Sequence, residues 1–105
     1  MGTIHFVILQ FTIAEKALKA FLAFKIHPIE KTHDIEFLVE LCIEYDTGFN
    51  QLIEDAEKLN PYSILYRYPN FVIEPEVSQV QEAIITSEKI LNFVERKIKS
   101  NPTQS

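Results

Sequence analysis

Residues 76–99, EVSQVQEAIITSEKILNFVERKIK, carry the clearest fold signal in the chain. Val77, Val80, Ile84, Ser87, Leu91, Val94 and Ile98 recur every three or four positions, the spacing of one helix face. A seam that long has to be covered by other helices. Working outward, Pro69 and Pro75 bracket an irregular connection ahead of it. Residues 49–59 read as a shorter helix that buries Phe49, Leu52, Ile53, Ala56 and Leu59. Asn60-Pro61 breaks or re-caps that helix, and Pro61 suits the first position of one more turn through Tyr66. Residues 33–46 form another helix, with Thr32 as N-cap and Asp34 complementing the helix dipole. Its inner stripe is Ile35, Leu38, Cys42 and Tyr45, and its outer ridge of Glu36, Glu40 and Glu44 is a solvated face. Asp46-Thr47-Gly48 closes it in a glycine-containing turn. Residues 4–26 form the first helix, with Ala14, Leu18, Phe21 and Leu22 inward and Thr12, Glu15, Lys16 and Lys19 on the polar face. It stops near Ile26, because His27 precedes Pro28. Four helices with short connections predict an all-α, antiparallel four-helix bundle over residues 4–99, followed by a disordered polar tail at 100–105.

The composition narrows the function classes. At 105 residues, 47% of them apolar, the chain is one folded domain. Only two glycines, Gly2 and Gly48, leave little for tight hairpins. The net charge of −5 gives no general attraction to nucleic acid, so a nucleotide or RNA site has to be a local basic patch. Cys42 is alone, which excludes an internal disulfide and a cysteine zinc site. His5 and His27 have no acidic or cysteine neighbour at metal-ligand spacing, so neither a metal nor another cofactor is expected.

The apolar start, Ile4 to Ile13, lacks a basic leader, and Glu15, Lys16 and Lys19 interrupt it well short of the ~20 residues a membrane span needs. The expectation is a soluble, cytoplasmic protein. Ile4, Phe6, Val7, Ile8, Leu9, Phe11 and Ile13 point all round their helix, and such a segment must be covered on every side. That predicts a homodimer with residues 4–13 central to its interface.

Three groups of residues could carry chemistry. Arg67 lies between Tyr66 and Tyr68 beside a chain break. A guanidinium can bind phosphate in a bidentate manner and a phenol ring can stack on a base. The alternative is structural, with Arg67 tied to a carboxylate such as Glu15 and the tyrosines filling the core. Lys16 and Lys19 share a helix face and could receive phosphate, or could simply solvate the face. His33-Asp34 could perform acid–base work with the carboxylate orienting the imidazole, or Asp34 could serve the helix dipole while His33 hydrogen-bonds backbone.

Glu15-Lys16-Ala17-Leu18-Lys19-Ala20, Thr32-His33-Asp34-Ile35, and Tyr62 followed by Tyr66-Arg67-Tyr68-Pro69 occur in that order. Together they resemble the HEPN family, small all-helical domains named for higher eukaryotes and prokaryotes and for nucleotide binding. The resemblance covers about residues 5–98. It implies a helical bundle and marks Arg67 as a special position without deciding between a ligand contact and a structural tie. Many HEPN domains are ribonucleases with a histidine four to six positions beyond an arginine. Here Tyr68 to Ile73 contain no histidine, and none follows Arg96. The resemblance therefore argues against ribonuclease activity of the usual HEPN kind. The chain looks more like the Arg-Tyr-Pro branch, whose members often pair with a minimal nucleotidyltransferase in toxin–antitoxin-like modules. Family members commonly carry a further helix ahead of the Glu15 helix, and paired glutamines where Phe11 and Thr12 stand. A start at this point implies truncation or self-association. Three readings follow: a binding module for a nucleotide or for a nucleotidyltransferase partner, a ribonuclease toxin using His33 and Arg67, and a structural oligomer without ligand.

Overall fold

The computed structural model describes residues 2–68, 70 and 74–100, except for the side chains of Gly2, Thr3 and Tyr66. Pro69 and the tail 101–105 lie outside these residues, so the expected proline break and disordered tail are not described. The chain forms α1 (Gly2–Phe24), α2 (Ile35–Tyr45), α3 (Ile53–Leu59), the single turn α4 (Ile64–Arg67) and α5 (Val77–Lys99). Tight 3₁₀ turns at Thr47–Leu52 and Asn60–Ser63 lead into α3 and α4. No strand occurs among the described residues. The all-α bundle is as expected.

The direction of the helices is more varied than the antiparallel expectation. Cys42 on α2 lies against the Leu18 carbonyl, His33 beside Glu15, and Tyr45 beside His27. So α1 and α2 run the same way. The ten residues 25–34 carry the chain back along α1, a distance their extended reach of up to ~33 Å covers. Ser87 on α5 donates a hydrogen bond to the buried Gln10 amide on α1. Further along both helices, Phe49 packs on Phe21 at 4.4 Å and on Phe93 at 5.0 Å between ring centroids. An antiparallel α5 would place Phe93 opposite the start of α1, so α1 and α5 are also parallel. Helix α3 descends, antiparallel to both α2 and α5. It starts near the Phe49 cluster and ends with Lys58 beside Glu82 near the start of α5.

Phe11, Leu18, Phe21, Ile35, Leu38, Phe49, Leu52, Leu59 and Ile90 are fully buried and form the core. Ala14, Leu18, Phe21 and Leu22 face inward as expected. On α5 the buried line is Val80, Ala83, Thr86, Ser87, Ile90, Phe93 and Val94. This is rotated from the predicted seam, and Val77 is exposed. The reason is that α1 and α3 both cover α5, and the small Ala83, Thr86 and Ser87 let them approach. Ile53 and Tyr45, expected inside, are exposed. The 3₁₀ turn ahead of Ile53 advances three residues per turn and shifts the phase, so Phe49 and Leu52 take the inner positions. At the α2 end, Tyr45 turns outward to meet His27. Burial pushes the Cys42 thiol up to about 12, so it is a neutral core side chain at ordinary pH.

Helix ends differ from the sequence reading by about two residues, each for a visible reason. Helix α1 stops at Phe24 because Ile26 N–H bonds to the Ala23 carbonyl and His27 N–H to the Leu22 carbonyl, each at 2.9 Å. This is a Schellman cap, and it places Ile26 at φ 59°. A β-branched residue in that region is strained by ~1–2 kcal/mol, and Ile26 is 90% exposed, so it makes little packing contact in return. Ile26→Gly is expected to stabilise the fold by about 0.5–1 kcal/mol, the strain relieved less the extra unfolded-state entropy of glycine. Chemical denaturation with an unchanged m-value would check this, and a lowered midpoint would contradict it.

The N-cap of α2 is Asp34 rather than Thr32. The Asp34 carboxylate accepts the Phe37 N–H at 3.0 Å, and the Thr32 hydroxyl oxygen accepts the Asp34 N–H at 3.0 Å. Gly48 does not adopt a positive φ. It makes room instead: a Cβ there would meet the Lys97 ammonium at 2.9 Å.

That ammonium pairs with Asp46 at 3.0 Å and ties α5 to the end of α2. Burial works to raise the Asp46 carboxyl, but the Lys97 ammonium and the Gly48 N–H outweigh it and hold the group below the usual carboxylate range. A depressed folded value means that the Asp46 contribution is present above the unfolded value and fades as pH falls through the folded one. Asp46→Asn is therefore expected to melt below the wild type at neutral pH, with the two curves converging in acid. A gap that persists unchanged into acid would contradict the pairing.

Candidate functional site

The loop that returns along α1 meets the turns after α3 in a polar cleft of about 340 Å³. It is lined by Lys31, Thr32, His33, Asp34, Asn60, Ser63 and Arg67. Asn60 fastens its two walls. Its side-chain oxygen accepts the Ile35 N–H at 2.8 Å, and its amide donates to Glu36 at 2.8 Å and to Asp34 at 3.2 Å. The Asp34 carboxylate is thus engaged in capping α2 and with Asn60, and the carboxylate beside His33 Nδ1 is a different one.

That one belongs to Glu15. It is only 1% exposed, although the sequence placed it on the polar face of α1. Its Oε2 lies 2.8 Å from Lys19 Nζ and 3.0 Å from His33 Nδ1. The turn of α1 that buries Ala14 and Leu18 also aims Glu15 at the returning loop. The alternative tie of Arg67 to Glu15 is therefore not formed. Arg67 ends α4, is exposed, and makes no ion pair among the described residues.

Of the residues singled out in the sequence, Arg67 and His33 share the cleft. Lys19 acts on it only through Glu15. Lys16 is exposed and does not line it. Tyr68 is exposed and is not among the lining residues. The Tyr66 side chain lies outside the described residues. Tyr62 packs against the core. The sequence reading missed Lys31, Ser63 and Asn60. Lys31 and Thr32 stand directly before the singled-out His33, which was the available signal. From the sequence, Asn60 reads as part of a pair that breaks or re-caps a helix.

Two cations, Lys31 and Arg67, and an imidazole thus face one recess that also offers hydroxyls from Thr32 and Ser63. Asp34 adds one carboxylate to the same lining, so the two cations outnumber the acid there in a chain of net charge −5. At the far end of α1, His27 binds Tyr45 at 2.7 Å and Glu30 at 2.8 Å, straps the returning loop to α2, and takes no part in the cleft.

A sequence profile of the HEPN domain matches residues 11–97, most of the chain and all of its helices apart from the two outer ends. The protein belongs to the HEPN domain family. No match was found among curated proteins or solved structures. No described helix is long and apolar enough to cross a membrane.

Proposed function

We propose that the cleft binds the phosphate of a nucleotide or of RNA, and that the protein is a HEPN binding module. The observation that carries this is Arg67, an exposed guanidinium without an ion pair among the described residues, sharing a recess with Lys31 and His33. A guanidinium matches phosphate in charge and fork geometry. Titrating ATP, GTP and short RNAs against the purified protein tests the reading. Saturable binding without turnover supports it, and no response to any of them removes it.

A second reading is favoured by the pairing of His33 with a buried carboxylate in the same cleft as Arg67. That arrangement supplies a proton-transferring imidazole and a cation for a developing phosphorane, the parts a metal-independent ribonuclease uses. RNA cleavage lost in His33→Ala would establish this reading over simple binding. The Arg-Tyr-Pro resemblance adds a minimal nucleotidyltransferase as partner, in a toxin–antitoxin-like pair within the cytoplasm. Co-purification of the two proteins would test that role. The apolar surface of α1 supports a homodimer.

A further inference from the structure

We infer that the cleft selects ribonucleotides over deoxyribonucleotides. Its cations take the phosphate, and the second oxygen of the Asp34 carboxylate accepts a hydrogen bond from the ribose 2′-hydroxyl. This rests on the phosphate-binding reading above and names the substrate class for it.

The starting observation is a carboxylate in a phosphate cleft. Asp34 lines the recess together with Lys31 and Arg67. Toward phosphate alone it is a cost, since like charges repel. Capping of α2 does not require that charge. The cap uses Oδ1, which accepts the Phe37 N–H at 3.0 Å and the Asn60 amide at 3.2 Å. A serine or an asparagine would cap as well without charge. The helix dipole favours a negative group at this end, and Glu36 in the first turn already supplies one. Asp34 is exposed, and its Oδ2 makes no hydrogen bond or ion pair among the described residues. The cleft thus holds one anionic oxygen that its own residues leave unused.

An ionised carboxylate oxygen can only accept, so the ligand group that meets it must donate. Phosphate oxygens do not qualify. The ribose hydroxyls are the donors nearest the phosphate, and donors on a base edge lie further out. At about 340 Å³ the cleft is at the small end of ligand pockets, ~300–1,000 Å³, so the part of the ligand beside Asp34 is the sugar. Of the two ribose hydroxyls, the 2′ is the one that a free nucleotide and an RNA strand share, and it is what separates RNA from DNA. Carboxylates read the ribose in the same manner at the dinucleotide sites of doubly wound folds. A divalent cation is the other species that an unused carboxylate attracts. The described residues hold no cluster of three metal-ligating side chains to keep one.

Competition binding of ATP against dATP, with EDTA present, tests the selection. RNA and DNA hexamers of one sequence distinguish a strand from a free nucleotide as its source. The ribo form is expected to bind about tenfold tighter, the effect of one hydrogen bond to a charged group. Asp34→Ser keeps a capping oxygen and removes the carboxylate. It is expected to bring the ratio of ribo to deoxy binding close to one, while pyrophosphate binds at least as tightly as to the wild type because a repelling charge is gone. If Asp34→Ser fails to fold, Asp34→Asn carries the same test. Equal binding of ribo and deoxy forms by the wild type overturns the inference, as does a ribo preference that survives in the variant or that appears only with magnesium. Pyrophosphate binding lost in a folded variant would make Asp34 structural and overturn it too. A preference for GTP over ATP that the variant abolishes would assign the carboxylate to the base instead. If neither pyrophosphate nor ATP nor RNA binds the wild type, the phosphate reading of the cleft falls and takes this inference with it, whereas firm but equal binding of ATP and dATP removes the ribose contact alone.

Discussion

Phe6→Glu combined with Leu9→Glu is expected to convert a dimer into a monomer without unfolding the bundle. Residues 4–13 divide cleanly. Val7 and Phe11 face the core and are fully buried, whereas Phe6 and Leu9 are 54% and 52% exposed. They lie one turn apart on α1, with Ile13 a further turn along, half-buried. Covering an apolar side chain of this size contributes ~1.5–3 kcal/mol. A two-fold contact covers the exposed half of each of them twice, so these residues contribute part of the ~8 kcal/mol that a micromolar dimer needs. Two carboxylates at these positions would have to be desolvated without partners, which reverses the sign. Sedimentation analysis of both proteins, with circular dichroism to confirm helicity, is the measurement. A monomeric wild type removes the dimer. A variant that remains dimeric moves the interface elsewhere, most simply to the exposed Ile85 side of α5.

Arg67→Ala is expected to weaken nucleotide binding by at least tenfold while leaving the melting temperature within a degree or so. From the sequence, Arg67 could equally have been a buried tie whose loss costs ~3–5 kcal/mol. The structure selects between these outcomes. Arg67 is exposed, ends a four-residue helix, and has no ion pair among the described residues, so truncation leaves no buried charge behind. A charge-assisted hydrogen bond to phosphate is worth ~1.5–3 kcal/mol, which converts to roughly ten- to a hundredfold in affinity. Melting curves and a fluorescence titration of labelled ATP check both halves. A large loss of stability would return Arg67 to a structural role, and unchanged affinity would remove it from the site.

The contrast between Glu15 and Arg67 shows what the sequence could and could not reveal. Helix positions followed from apolar spacing, since Phe21, Ile35, Leu38 and Phe49 bury where a periodic reading puts them. Helix direction did not, because the ten residues 25–34 are long enough to return along α1 and no local pattern says that they do. Phase failed where a 3₁₀ turn replaced an α turn ahead of Ile53. Arg67 and His33 were legible as unusual residues at helix boundaries. Their meeting in one cleft was not, since it depends on Asn60 joining the start of α2 to the turn after α3. The burial of Glu15 was hidden by its favourable spacing to Lys19, which reads as a surface pair. That pair exists, but it is turned inward and extended to His33.

The central claim is that phosphate binds between the start of α2 and α4. Chemical-shift mapping of the backbone amides during a titration with ATP tests it most directly. Saturable shifts are expected at Lys31 to Ile35, Asn60, Ser63 and Arg67, with silence at the other basic patch, Arg96, Lys97 and Lys99 at the end of α5. Shifts centred on the end of α5, or a cleft that stays silent at saturating ATP, would contradict it.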